Sequence, residues 1–371
     1  MPAGLRDEAN RALGAVTPAT APAGAGAAPA GRVSVAIPVY NGARFLADTL
    51  ESVLRQTRPA DEIVLVDDAS TDGSPEEIRR AARRDARVRA VRNDRTLGMV
   101  ANWNRCLELC TGEWVKVLGQ DDRLAPECLE VLLAATAEGN DLVLSLREFS
   151  FEPGVPRARA LAYRFSLPTL RSLGVAAGTV TPAALARLVT RVAPCANFLG
   201  EPLVGLVRRE RLAAAGGFSP ALSQLADYEL WLRLGLTRPF TFVDRPLGTF
   251  RVHAASATQA HLADRLRGVH LENALVLAEL LAGAVFAPAR ALHPPLAVFA
   301  RRALLAEIEN ALRLARRSER QALALRRALA EQPLLAAWCR REPTLADRLG
   351  ALAGRVGRAR RILAATLRRH G

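Results

Sequence analysis

Lysine is nearly missing from this chain: Lys116 stands alone among 51 basic residues. With so much alanine beside it, the arginine excess reads as coding bias and carries no recognition argument. Cysteine is scarce as well. Cys106, Cys110, Cys128, Cys195 and Cys339 are odd in number and form no CxxC pair, which excludes a disulfide scaffold and a cysteine metal cluster and fits reduced thiols in a cytoplasmic compartment. Long apolar runs are lacking too. The most apolar stretch, residues 271–288, is interrupted by Glu272, Asn273 and Glu279, short of the roughly 18 consecutive apolar residues of a spanning helix. The first 30 residues hold Arg6, Asp7 and Glu8 and no signal-peptide core, so residues 1–31 are expected to be a flexible Ala/Pro/Gly-rich tail. The sequence predicts no bilayer crossing.

What is present is a chain of 371 residues, half of them hydrophobic and 24% charged, a balance that supports a buried core. Its net charge of +14 is unevenly spread: residues 251–371 carry 21 Arg against 9 acids, so the first 250 residues are almost neutral. No aromatic interleaving or reader motif accompanies the basic stretch, which argues against nucleic acid as a partner.

Strand and helix patterns alternate from residue 32 onward. Val33 to Pro38 is a β-branched run ending at Asn41-Gly42, and Phe45, Leu46, Leu50, Val53 and Leu54 follow at helical period. Glu62 to Val66 is a second strand; Ser74-Pro75-Glu76-Glu77 reads as a capped helix start. A third strand is expected at 88–91, a helix at 99–109 and a fourth strand at 113–118. This order predicts an α/β fold with a doubly wound, mostly parallel sheet, in which ligands sit beyond the carboxyl ends of the strands. The stretch from about 148 to 171 reads as irregular, a helix is expected over 226–236, and residues 259–371 form an Arg-rich α-helical extension.

Polar residues at the strand ends are the candidate site. Asp121 and Asp122 are adjacent acids that repel unless a cation lies near, and Mg²⁺ or Mn²⁺ favours such carboxylates; alternatively they cap the next helix. Asp67-Asp68 after the second strand suits a ribose or base N–H, or else an Asx-turn. Neither GxGxxG nor GxxxxGK[ST] is present, so a diphosphate has no Gly-rich cradle here.

These residues resemble the family 2 glycosyltransferases, inverting enzymes of the A-type nucleotide-diphosphosugar fold, which is Rossmann-like. Val33 to Asn41, Leu50 to Thr57, Glu62 to Gly73, and Gly112-Glu113-Trp114 leading to Asp121-Asp122 carry the resemblance over about residues 32–135. It implies a catalytic domain over 32–258, with a nucleotide-sugar-binding half at 32–147 and an acceptor half at 148–258. It implies that Pro38, Tyr40, Asn41 and Asp68 meet the nucleoside of the donor, and that Asp121 and Asp122 hold a divalent metal and, through it, the diphosphate. Gly119 departs from the family's commoner form, which has a further Asp there. The run Asn197 to Pro202, with Gly216-Gly217-Phe218, resembles the acceptor segment. Ala226-Asp227-Tyr228-Glu229 resembles the family's helix start, whose Asp is the general base; Asp227 as a plain helix cap is the other reading. Arg251 and His253 resemble the family's late Arg and His near the diphosphate or metal.

The resemblance implies transfer from a nucleotide diphosphosugar to a glycan or lipid-linked acceptor, in cell-surface polysaccharide synthesis. A catalytically inactive glycan-binding or scaffold subunit is the alternative that Gly119 keeps open. The acid-free Arg- and Leu-rich tail from Arg348 to Arg369 suits an anionic membrane surface, each basic residue adding about 1 kcal/mol near it. That points to a cytoplasmic, peripheral position at the inner face of the cell membrane.

Overall fold

The first strand, β1 (Val33–Val39), is buried at every position, as a β-branched run covered on both faces must be. It is followed by α1 (Ala43–Leu54), β2 (Glu62–Asp67), α2 (Ser74–Arg84), β3 (Val88–Arg92), α3 (Met99–Leu109) and β4 (Trp114–Val117). β1 pairs in parallel with β2 and β4, and β2 with β3, which is the doubly wound half anticipated from the pattern. α1 turns Phe45, Leu46, Leu50 and Val53 onto the sheet.

One detail of that half differs. Ser74 does not cap α2, because its hydroxyl accepts the Gly42 N–H at 2.8 Å. Asp72 takes the role instead: Oδ1 accepts from Ser74 N at 2.9 Å and Oδ2 from Ala43 N at 3.0 Å, so one carboxylate serves the starts of α1 and α2. These bonds hold its pKa below the ordinary carboxylate value against the opposing effect of burial.

The sheet continues through β5 (Arg123–Leu124), α4 (Cys128–Ala134), β6 (Leu142–Phe151), α5 (Arg157–Ser166), β7 (Gly178–Val180), α6 (Pro182–Val189), β8 (Gly205–Arg208), α7 (Arg209–Ala215), α8 (Ala226–Gly235) and β9 (Phe240–Val252). Its order is β3-β2-β1-β4-β8-β6-β9-β5, with β7 on β9. β8 runs antiparallel to both β4 and β6, while β6 and β9 are parallel. The stretch expected to be irregular holds the end of β6 and α5. The β6–β9 pairing shifts register on either side of Leu146, next to Pro246, where a residue without an N–H is tolerated.

The structure describes residues 31–254, 266–316, 318–333 and 335–337. The expected tail at 1–31, apart from Gly31, and the Arg-rich stretch 348–369 lie outside them. The chain divides into two units, one holding the sheet and the other comprising residues 193–195 and 257–371. Within the second unit lie a π-helical turn at Leu266–Leu271, α9 (Glu272–Ala282), α10 (Ala287–Leu292), α11 (Pro295–Ala315) and α12 (Glu319–Glu331). Leu296, Ala300, Leu304, Ile308 and Leu312 recur every four residues along α11, and all are buried, the stripe an amphipathic helix needs. His270 Nδ1 and Asn273 Nδ2 meet the Glu307 carboxylate at 2.6 and 2.9 Å. Among the described residues no single helix is long and apolar enough to cross a membrane.

Candidate functional site

β1, β2 and β4 end at one edge of the sheet, and their outgoing loops are tied together. Gln120 donates to the Tyr40 carbonyl at 3.0 Å and accepts the Tyr40 N–H at 2.8 Å, joining the loop after β1 to the loop after β4. Asn41 takes a left-handed backbone, φ 49°, which Asn tolerates better than most residues. Its side chain accepts from Thr71 N at 2.9 Å, and its N–H donates to Ser70 Oγ at 2.9 Å. Tyr40 is 49% exposed at this rim.

Pro38 lies inside β1, buried and paired with Val66. A proline is possible there because Leu118 N donates to the Ala36 carbonyl, so the same side of position 38 lies beyond the last β4 partner and no ladder bond is forgone. Asp68 is 1% exposed. Its carboxylate accepts from Asn93 Nδ2 at 2.8 Å, Leu97 N at 2.8 Å and Gly98 N at 2.9 Å. Asp68 therefore holds the loop leading into α3, while Asp67 binds Arg92 Nη1 at 2.6 Å.

The loop after β4 carries Asp121 and Asp122, and the end of β9 supplies Arg251 and His253. His253 Nε2 lies 2.8 Å from Asp121 Oδ2. Arg251 N donates to Asp122 Oδ1 at 3.0 Å, and Arg251 Nε to the Asp121 carbonyl at 2.8 Å. The Arg251 guanidinium lies 4.6 Å over the Phe45 ring and reaches Asp48 and Glu152 at 3.2 and 3.3 Å. Asp122 thus bonds to β9 and caps no helix. Burial, and then the Asp121 charge, push its carboxyl well above the usual carboxylate range.

This donor set fits a hard divalent cation. Two neighbouring carboxylates, one of them destabilised as an anion by burial and by the other, are relieved by positive charge. Among the described residues no three His, Cys, Asp or Glu converge on one point. Such a site suits Mg²⁺ or Mn²⁺, which use one or two protein carboxylates and fill the rest of the shell with water and phosphate oxygens. Gly119 belongs to the same packing: a Cβ there would stand 2.7 Å from Asp122 Oδ2, so the space of a side chain at 119 is taken by the Asp122 carboxylate.

Asp227 lies in the first turn of α8, 7% exposed. Burial, and then the Glu201 charge, push its carboxyl up to about 8. Tyr228 N donates to Oδ1 at 2.6 Å and Asn197 Nδ2 to Oδ2 at 3.4 Å. Asn197 also closes the turn before Glu201, accepting Gly200 N at 2.8 Å, and Trp231 Nε1 on α8 donates to the Gly200 carbonyl at 2.9 Å. The Glu201 charge contributes to raising both Asp122 and Asp227, and the turn that carries Glu201 is tied to Asp227 through Asn197.

The tertiary structure therefore joins Asp121, Asp122, Arg251 and His253 in one bonded cluster, ties Tyr40 to the same loop through Gln120, and sets Asp227 beside the Asn197 turn that carries Glu201. Pro38 and Asp68 are buried just behind. Arg147 and Gln120 were not singled out in the sequence as site residues, and Glu201 was read only as part of the acceptor-like run Asn197 to Pro202.

A mostly parallel central sheet with β8 reversed between β4 and β6, paired acids after β4 and a further acid on a late helix define the A-type glycosyltransferase fold. The chain belongs to the family 2 glycosyltransferases: residues 34–187 match Glycosyl transferase family 2. An uncharacterized protein of Mycobacterium tuberculosis (strain CDC 1551 / Oshkosh) is 31% identical over 235 residues, 63% of this chain and 71% of that protein. A putative teichuronic acid biosynthesis glycosyltransferase of Bacillus subtilis (strain 168) is 36% identical over 98 residues, 26% of this chain and 39% of its own length. The chain thus matches well under half of that second relative. In fold, the chain resembles a mannosyltransferase, PcManGT from Pyrobaculum calidifontis, solved in complex with GDP-Man and Mn²⁺. The TM-score is 0.52 at 22% identity, over 95% of this chain and 93% of that one.

Proposed function

We propose that this protein is an inverting glycosyltransferase that moves a sugar from a nucleotide diphosphosugar to a glycan or lipid-linked acceptor in cell-surface polysaccharide synthesis. One observation carries the reading: a buried carboxylate, Asp227, stands on α8, while a second acid group, Asp121 and Asp122, is held separately against the end of β9. An inverting transfer needs those two functions separately, an acceptor-side base and a counter-charge for the departing diphosphate.

In this reading Tyr40 and Asn41 border the nucleoside, and Asp68 shapes its pocket by fixing the loop before α3. Asp121 and Asp122, with His253 beside them, would hold Mg²⁺ or Mn²⁺, whose positive charge would stabilise the diphosphate leaving group when bound. Arg251 orients both acids through its backbone N–H and guanidinium. The acceptor oxygen attacks C1 of the sugar as the C1–O bond to the diphosphate breaks, the bonding pair leaves with the nucleoside diphosphate, and the acceptor proton passes to the Asp227 carboxylate. Residues 348–369 then keep the enzyme at the cytoplasmic face of the membrane.

Calorimetry with UDP and GDP in Mn²⁺, together with turnover of a nucleotide-sugar panel, tests the proposal. Asp227→Asn is expected to lose turnover by about 10²- to 10⁴-fold and to keep metal-dependent nucleotide binding. Full activity in that variant would overturn the base assignment. A chain that binds no nucleotide with metal present would favour the scaffold reading.

A further inference from the structure

The anchoring of Glu201 exceeds what a loop needs. Ser145 and Arg147 occupy alternate positions of β6. Ser145 Oγ donates to the Val204 carbonyl at 3.2 Å, and Arg147 forms an ion pair with the Glu201 carboxylate. From the other side Lys116 on β4, the one lysine and fully buried, donates to the Leu203 carbonyl. The order β4-β8-β6 explains this, since residues 201–204 lead into β8 and are gripped by both of its neighbours.

The Arg147 side chain is 2% exposed and that of Glu201 16%. The guanidinium stacks 4.9 Å over Phe149, and its Nη2 has no hydrogen-bond partner among the described residues. The Oε2 oxygen of Glu201 meets Arg147 Nε, and the Glu201 side chain keeps part of its surface open. Burying a guanidinium is costly unless it is paired, so the fold commits a buried cation to aiming this one acid. The turn that closes on Asn197 brings the acid to the Asp227 side of the site.

We propose that Glu201 is a substrate-binding carboxylate of the acceptor subsite and that Arg147 is its positioning residue. The inference rests on the transfer reading above and adds a contact to it. Glu201 accepts a hydrogen bond from the acceptor hydroxyl next to the one that attacks, while the attacking hydroxyl gives its proton to Asp227. When water is the acceptor, one O–H points to Asp227 and the other to Glu201. The ligand class is therefore a vicinal diol of a sugar, or water in its place.

Donor hydrolysis needs no knowledge of the natural acceptor and tests this directly. The full chain, Glu201→Gln, Arg147→Met and Arg147→Lys are compared on the nucleotide sugar that the unaltered chain hydrolyses fastest. Glu201→Gln and Arg147→Met are expected to lower kcat by about tenfold or more with the donor KM within about twofold. Arg147→Lys should recover most of the loss, and calorimetric UDP–Mn²⁺ binding should stay intact in all three. Unchanged kcat in Glu201→Gln would overturn the assignment. So would a loss of nucleotide binding equal to the loss of kcat, which marks a purely structural role. Absence of turnover by the unaltered chain with every donor would remove the transfer reading and this assignment together, whereas the Asp227→Asn result bears on the transfer reading alone.

Discussion

Asp227 shows how a single carboxyl is poised by its surroundings. With the folded value near 8 against an ordinary 3.8, the native state binds more protons than the unfolded chain between those two values. Stability therefore falls as pH rises from about 4 to about 8 and levels off above. Asp227→Asn lacks this loss, so its stability relative to the unaltered protein in denaturant melts should rise between pH 5 and pH 8, by about 3 to 4 kcal/mol. A constant margin would mean that the folded carboxyl is not held protonated. Activity runs the other way, because the base form is needed, and turnover should rise with pH toward 8. At Gly119 the packing makes a second prediction. Restoring the commoner acid with Gly119→Asp should weaken, not strengthen, Mn²⁺-dependent nucleotide binding in calorimetry, because the new side chain displaces the Asp122 carboxylate that lies 2.7 Å from its Cβ.

At the scale of elements, loops are held by carboxylates more than by their own sequence. Asp68 fixes the 93–98 loop through two backbone N–H groups and one side-chain amide. Asp68→Ala strands those donors and should cost about 3 kcal/mol in a denaturant melt. A direct base contact alone would leave stability unchanged and affect nucleotide binding only. Gln120→Ala cuts both hydrogen bonds between the β1 and β4 loops. At this exposed site the expected stability loss is about 1 kcal/mol or less, together with a raised donor KM. The first four strands were legible in the sequence because parallel strands covered on both faces read as continuous apolar runs. β8, β9 and the end of β6 were not: their register shifts around Leu146, and Pro246 interrupts a strand pattern. Glu201 was legible only as a member of the acceptor-like run Asn197 to Pro202. Its importance comes from Arg147, 54 residues away in sequence, and no local spacing reports that.

For the molecule as a whole, the charge is divided by function. The sheet unit gathers acids at one edge, while the net charge of +14 belongs almost wholly to the last third of the chain. If residues 348–369 hold the enzyme on anionic lipid, deletion after Arg348 should abolish co-sedimentation with phosphatidylglycerol vesicles and leave donor hydrolysis unchanged. Raising ionic strength should mimic the deletion, since exposed charges are screened beyond about 10 Å at 0.1 M salt. Vesicle binding unaffected by either change would place the contact elsewhere.

The sequence by itself determined the strand–helix alternation, the edge at which polar residues collect, and the family, since each depends on short-range periodicity and contiguous motifs. Only the tertiary structure decided which acids meet. Asp122 and Asp227 are more than a hundred residues apart, and their common neighbour Glu201 becomes one through the insertion of an antiparallel β8 between β4 and β6. The burial that lifts Asp227 and the ion pair that holds Glu201 depend on that tertiary arrangement, because electrostatic coupling depends on distance and desolvation and not on position along the chain.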